Sequence, residues 1–169
     1  MTTGADKMKE ACAQAAALGP EHESLARFEG KWRAEVKLWM DPTADPQVSH
    51  GLMTNTMVLG GRFLQQDYRD DSGMFEGRGF WGYNHIDRRF EGFWIDSMAT
   101  FFQIEHGRLD ESKNIYVMEG SMTNPGTGQP MKKRSVIKLT GPDEHSLELY
   151  FAPQGGPEAK AMEIRYKRV

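Results

Sequence analysis

From Phe28 to Val169 the chain is written with a period of two. Trp32, Ala34, Val36, Leu38 and Met40 fall on one side of an extended backbone, and Arg33, Glu35 and Lys37 on the other. At the far end Met162, Ile164, Tyr166 and Arg168 alternate with Glu163, Arg165 and Lys167. Successive side chains of a strand point to opposite faces, so such alternation means one buried and one wet face. Between the runs lie residues that reverse a chain: Asp41-Pro42 with Asp45-Pro46, Gly60-Gly61, Asp70-Asp71-Ser72-Gly73, Asn84 to Asp87, Gly107 to Lys113, Asn124-Pro125-Gly126, Gly141-Pro142 and Pro153 to Pro157. Ten strands are expected, over 28–40, 51–59, 62–69, 74–84, 88–97, 99–106, 114–122, 131–140, 146–152 and 159–169. Many short strands on short connections argue for an antiparallel meander, closed as a barrel or folded as a sandwich. Because ten is even, the first and last strands run antiparallel and can pair, and closure removes exposed edges.

The first nineteen residues differ. They are rich in Ala and lack aromatics, and Met8, Cys12, Ala15 and Leu18 recur at three- and four-residue steps, which predicts a short amphipathic N-terminal helix over 1–19. Gly19-Pro20 ends it, Gly suiting a left-handed cap, and Glu21–Arg27 can form one further helical turn. The expected organisation of all 169 residues is one domain, residues 1–19 as helix and 20–169 as barrel.

Composition narrows function. Lys+Arg is 21 against Asp+Glu 24, a net charge of −3, the wrong sign for a general nucleic-acid binder. No stretch is apolar enough to form a membrane-spanning helix, and the N-terminus lacks the pattern of a signal peptide. With one cysteine there is no internal disulfide. A soluble, cytoplasmic protein with no membrane or nucleic-acid partner is the expectation.

Face assignments place Leu64, Gln66, Tyr68, Phe75, Trp81, Tyr83, Trp94, Asp96, Tyr116, Met118, Met122, Ser135, Ile137, Leu139, Leu147, Leu149 and Phe151 inward, and leave Asn55 open. The interior is therefore mixed. A filled core favours Leu, Ile and Val, because each buried polar group needs a partner, whereas an apolar cavity with a few polar groups is the chemistry of a small-molecule site. Candidate ligand-binding residues are Asn55, Gln66, Tyr83, Trp94, Asp96, Tyr116, Ser135 and Tyr166. The alternative is that these groups satisfy one another or hold internal water.

Other motifs carry less. Gly77-Arg78-Gly79-Phe80-Trp81-Gly82 has dinucleotide-loop spacing but no strand-to-helix context, so its glycines are read as room for a bend or for large aromatics. His22, His50, His85, His106 and His145 show no zinc-ligand spacing and read as surface residues in or beside turns. No metal site and no cofactor are expected. Lys132-Lys133-Arg134, Arg88-Arg89 and Lys167-Arg168 read as solvated faces, and Cys12 as a small packing residue. An inward Asp96 needs Arg168, Lys133 or hydrogen bonds to stay charged; it serves as a general base or amine ligand, or it braces the 96–100 junction. Trp39, Phe93 and Ile95 fall on the outer face and call for cover by the N-terminal helix or by a second subunit of a homodimer.

Phe28, Gly30 and Trp32, preceded by Leu25, resemble the Gly-x-Trp entry of lipocalin-like (calycin) barrels, in which an Arg from the last strand packs across the Trp; Arg168 has the right face for that contact. The segments WMDPTADP (39–46), LGGRFLQQDY (59–68), FEGRGFWGYN (75–84), WIDSMAT (94–100), NPGTGQPMKKR (124–134) and MEIRYKR (162–168) resemble, in order, the bacterial family called Domain of Unknown Function 1579. The resemblance covers about residues 20–169. It implies an all-β, ten-stranded, up-and-down lipocalin-like barrel and no established activity. Asn84 and Asn124 stand where the family usually has Asp, in turns where the two are near-equivalent. Arg134 and Glu148 match the family pattern but are assigned to the outer face. Some related barrels bind haem through a His near the chain end; the final strand here has none.

The leading expectation is thus a barrel that binds a small, partly apolar ligand inside. The alternatives are an isomerase, lyase or hydrolase using Asp96, and an interaction protein acting through its outer apolar face.

Overall fold

The computed structural model describes residues 3–169. Two helices, α1 (Gly4–Ala16) and α2 (Pro20–Ala26), precede ten strands: β1 (Gly30–Leu38), β2 (Gln47–Val58), β3 (Phe63–Asp70), β4 (Glu76–Asn84), β5 (Arg89–Asp96), β6 (Gln103–Asp110), β7 (Ile115–Thr123), β8 (Pro130–Leu139), β9 (Glu144–Pro153) and β10 (Ala159–Arg168). Every neighbouring pair is antiparallel, and β1 pairs with β10 from Trp32↔Arg168 to Leu38↔Met162, closing a ten-stranded up-and-down barrel. The expected architecture is the observed one. Of the predicted strands, 99–106 is displaced most. The aromatic pair Phe101-Phe102 lies in the loop, and β6 starts at Gln103 and runs through Gly107 to Asp110.

The helical segment differs in detail from its expectation, residues 1 and 2 lying outside those described. Thr3 and Asp6 cap each other at the start of α1, as a short polar N-cap and an acidic first-turn residue should. No residue of α1 is buried, so its apolar stripe enters no core, and Cys12 is exposed rather than a packing residue. Gly19 is extended (φ −150°, ψ −175°) and is the N-cap of α2, not a left-handed cap of α1. Pro20 then occupies the first helical position, where its missing N–H costs nothing.

Helix α2 closes one end of the barrel. Leu25 and Phe28 descend from it into a core with Leu64, Trp81, Phe90, Tyr116, Met118, Ile137 and Leu139. Here the Phe28 carbonyl accepts from Trp32 Nε1 at 2.8 Å and Asn55 Nδ2 at 2.9 Å. The Arg168 guanidinium lies 4.0 Å from the Trp32 ring centroid and donates to the Glu29 carbonyl at 2.7 Å. The expected Trp–Arg contact is present, tying the first strand to the last.

Two histidines read as surface residues are buried. His22 is 6% exposed and accepts from the Gly19 N–H through Nδ1 at 3.0 Å. His145 lies within β9, not in a turn. It is 5% exposed, stacked on Tyr166 at 4.3 Å and edge-on to Trp32 at 4.4 Å. The neutral ring serves as an aromatic wall; burial, with the Arg168 charge adding, pulls its pKa down to about 3. No described helix is long and apolar enough to cross a membrane.

Candidate functional site

The interior changes character along its length. At the α2 end Leu25, Phe28, Trp32, Leu64, Phe90 and Tyr116 are buried, with Met57, Tyr83 and Leu109 partly buried beside them. Toward the opposite end, inward-facing Gln66, Trp94, Asp96, Gln103, Met122, Met131, Phe151 and Met162 all keep partial solvent access although they face the lumen. Alongside these, Met53, Tyr68 and Ile164 are buried in a second cluster, against which Val36, Phe75, Trp94 and Met162 pack. Solvent access to inward side chains is thus concentrated at the end opposite α2, the open half of the barrel.

The polar centre of this open half is an ion pair that the sequence did not reveal. On β6, β7 and β8 the residues Glu105, Gly120 and Lys133 stand directly opposite one another. Gly120 has no side chain to come between its neighbours, and Glu105 Oε2 lies 3.3 Å from Lys133 Nζ, both side chains 8% exposed. Ser135 Oγ donates to the same Glu105 oxygen at 2.8 Å. Glu105 is the one carboxylate within 4.0 Å of Lys133 among the described residues, so an ammonium with three donors keeps donors to spare. Lys133 is therefore an interior residue, not part of a solvated face. Its parity with inward Ser135 and Ile137 was the available signal, outweighed by the rule that a lone charge stays in water.

Next to this pair on the inner face of β6 is Gln103, which joins a second polar group. Its Nε2 donates to Asp96 Oδ2 at 3.3 Å, and Trp94 Nε1 donates to the same oxygen at 3.0 Å. Asp96 Oδ1 accepts the Met98 N–H at 2.9 Å. The carboxylate is thus held by hydrogen bonds and braces the chain after β5; neither Arg168 nor Lys133 supports it. The Trp94 indole covers the inner face of β4, where a Cβ on Gly77 would overlap it. That is the role expected of the glycine-rich run.

The eight candidate residues divide between the two ends. Gln66, Trp94, Asp96 and Ser135 face the open half. Asn55, whose orientation was open, points inward at 2% exposure and is bound to the Phe28 carbonyl; its Oδ1 has no partner. Tyr116 is fully buried and donates to Ser24 Oγ at 2.8 Å. Tyr166 is packed against His145, and burial raises its phenol well above the ordinary tyrosine value. Tyr83 sits at the rim near α2, with its ring 5.0 Å from Phe90. These last four belong to the closed end, with no common surface in the open half.

Arg134 and Glu148 face outward, as assigned. Arg134 pairs with Glu158 at 2.5 Å and lies over the Tyr150 ring, while Glu148 pairs with Lys160. Outside the barrel, Phe63, Phe80, Phe93, Phe102 and Ile104 line a groove of about 630 Å³ across β3–β6. Helix α1 contributes only Ala15 to its rim, so the expected cover by this helix is not found.

The fold is a closed ten-stranded up-and-down β-barrel with helix α2 across one end and a buried ion pair in its interior. The model of the protein family of unknown function DUF1579 matches residues 17–168, and the chain belongs to that family. No curated protein matches it. Among solved structures, the crystal structure of Rv2717c from M. tuberculosis is similar at 19% identity and a TM-score of 0.61, covering 90% of this chain and 99% of that one. That likeness shows the fold. Two further barrels match at lower similarity. A redesigned β-barrel, b11L5F_LGL, has 14% identity, coverage of 86% and 95%, and a TM-score of 0.38. EF1p2_mFAP2b, described as bound to DFHBI, has 11% identity, coverage of 88% and 98%, and a TM-score of 0.42.

Proposed function

We propose that the protein binds a small, partly apolar ligand in the open half of the barrel. The ligand's hydrogen-bond acceptor meets Lys133, and its apolar body lies among Trp94, Met122, Met131, Phe151 and Met162. The observation that carries this reading is the buried Glu105–Lys133 pair, whose ammonium has unused donors beside inward side chains that keep partial solvent access. Gln66 and Ser135 supply further polar contacts, and Asp96 orients Trp94 and Gln103. A panel of metabolites and lipids screened by thermal shift tests it. A ligand at a hundredfold over its Kd adds about 2.7 kcal/mol of stability. A Glu105→Leu/Lys133→Met double variant should fold and lose the shift. No stabilisation across a broad panel, or a shift unchanged in the variant, rejects the reading.

Catalysis by Asp96 has less support, because both its oxygens already accept hydrogen bonds from neighbouring groups. The outer groove favours a second reading, self-association through β3–β6. Phe102 and Ile104 are 63% and 64% exposed there. A dimer that dissociates on Phe102→Ser, read by sedimentation velocity, supports it; a monomer at every concentration rejects it.

A further inference from the structure

We propose that a cleft on the outside of the α2 end is a second binding site, for small organic anions that carry a phosphate or carboxylate on a flat body. It is separate from the lumen and does not depend on the lumen's role. The cleft has a volume of about 440 Å³, within the range of small-molecule sites, and lies between α2 and the hairpins β4–β5 and β6–β7. Four arginines, Arg27, Arg88, Arg89 and Arg108, line it against two carboxylates, Glu21 and Glu111, in a chain whose net charge is negative.

Arg89 is taken up by Asp87 at 3.3 Å and Glu91 at 2.8 Å. No carboxylate lies within 4.0 Å of Arg27, Arg88 or Arg108 among the described residues. Arg27 donates to Asn114 Oδ1 at 3.1 Å, which holds it at the rim. Arg88 and Arg108 line the cleft together with Tyr83. Tyr83, Phe90 and Pro20 offer apolar surface for a ring. Free guanidinium groups beside aromatic surface match a planar oxyanion and its body.

Backbone geometry adds an independent indication. Arg88 has φ +52°, the left-handed region, and Asn114 has the same φ at the end of the next hairpin loop along this rim. Glycine and asparagine tolerate that conformation, but a long side chain does not favour it. Arginine therefore stands at a position where stability alone selects a different residue.

The test is a titration of the full chain with phenyl phosphate, benzoate and inorganic phosphate at low ionic strength, followed by amide NMR shifts. Saturable shifts at residues 83–90 and 107–114, screened by added salt, are expected for the two aromatic anions. Arg88→Gly should leave the fold as stable as before or more so, and weaken binding roughly tenfold or more; Arg108→Gln should do the same to binding. An absence of saturable shifts, shifts mapping elsewhere, or binding unchanged in both variants overturns the site. Inorganic phosphate binding as tightly as phenyl phosphate overturns the ring contact.

Discussion

Glu105 Oε2 and Lys133 Nζ meet at 3.3 Å across Gly120, a residue that contributes no side chain to separate them. Removing one member leaves an interior charge for which the described residues offer no other counterion. Glu105→Leu or Lys133→Met alone should each lower stability by roughly 3–5 kcal/mol, and the double variant should recover most of that loss. Urea unfolding of the four proteins measures the coupling. Additive losses would show that the two charges do not interact.

The same geometry makes Gly120 indispensable. A Cβ built there overlaps the carbonyl oxygen of Ile104 on β6, which belongs to the backbone and cannot turn aside. Gly120→Ala should cost roughly 1–3 kcal/mol by separating β6 from β7. Such a change in denaturation midpoint should exceed that of Gly126→Ala, in a loop where only the far end of the Asn124 side chain comes near.

Arg168 joins the Trp32 ring and the Glu29 carbonyl at the point where the barrel closes. Arg168→Met keeps the length of the side chain and loses both interactions. A loss of roughly 1–3 kcal/mol is expected from the cation–π contact and charge-assisted hydrogen bonds combined. Hydrogen exchange at β1 and β10 should rise before exchange at β7 and β8; uniform acceleration would count against a local closure role.

Acid should destabilise the protein partly through His145. Its folded pKa is pulled down to about 3, whereas in the unfolded chain it is near the ordinary ~6.5. Between these values the unfolded state binds a proton that the native state excludes, so stability is full above about pH 6.5 and falls as pH drops toward about 3. The contribution is up to roughly 1.4 kcal/mol per pH unit within that window. His145→Phe, which retains the ring, should flatten the pH dependence of the urea midpoint by that amount between pH 6 and 4. An unchanged slope would assign acid lability to other groups.

Strand number and most inner faces were legible because alternation reports which side of a strand meets water, whereas the choice of a closed barrel over a sandwich rested on the family resemblance. Trp32, Leu64, Trp81, Met118 and Ile164 could be placed inside one strand at a time. The β6 boundary was misread because Phe101-Phe102 imitates the start of a strand, while a solvent-exposed loop tolerates the same pair. The division of the candidate residues between two ends was also hidden: parity gives the face of a strand, not depth within a filled or open section.

By itself the sequence determined ten short antiparallel strands with a helix before them, since those properties follow from local period and turn chemistry, while the closed barrel and its Trp–Arg contact were implied by the resemblance to lipocalin-like barrels. Only the tertiary structure decided which charges go inside and which half stays open. Burying Lys133 is tolerable solely because Glu105, 28 residues earlier and two strands away, faces the same space. Burying His145 is tolerable because Trp32, Phe28 and Tyr166 surround a neutral ring. Such exceptions to the local rule arise from partners brought together by closure, and no window along the chain contains both members.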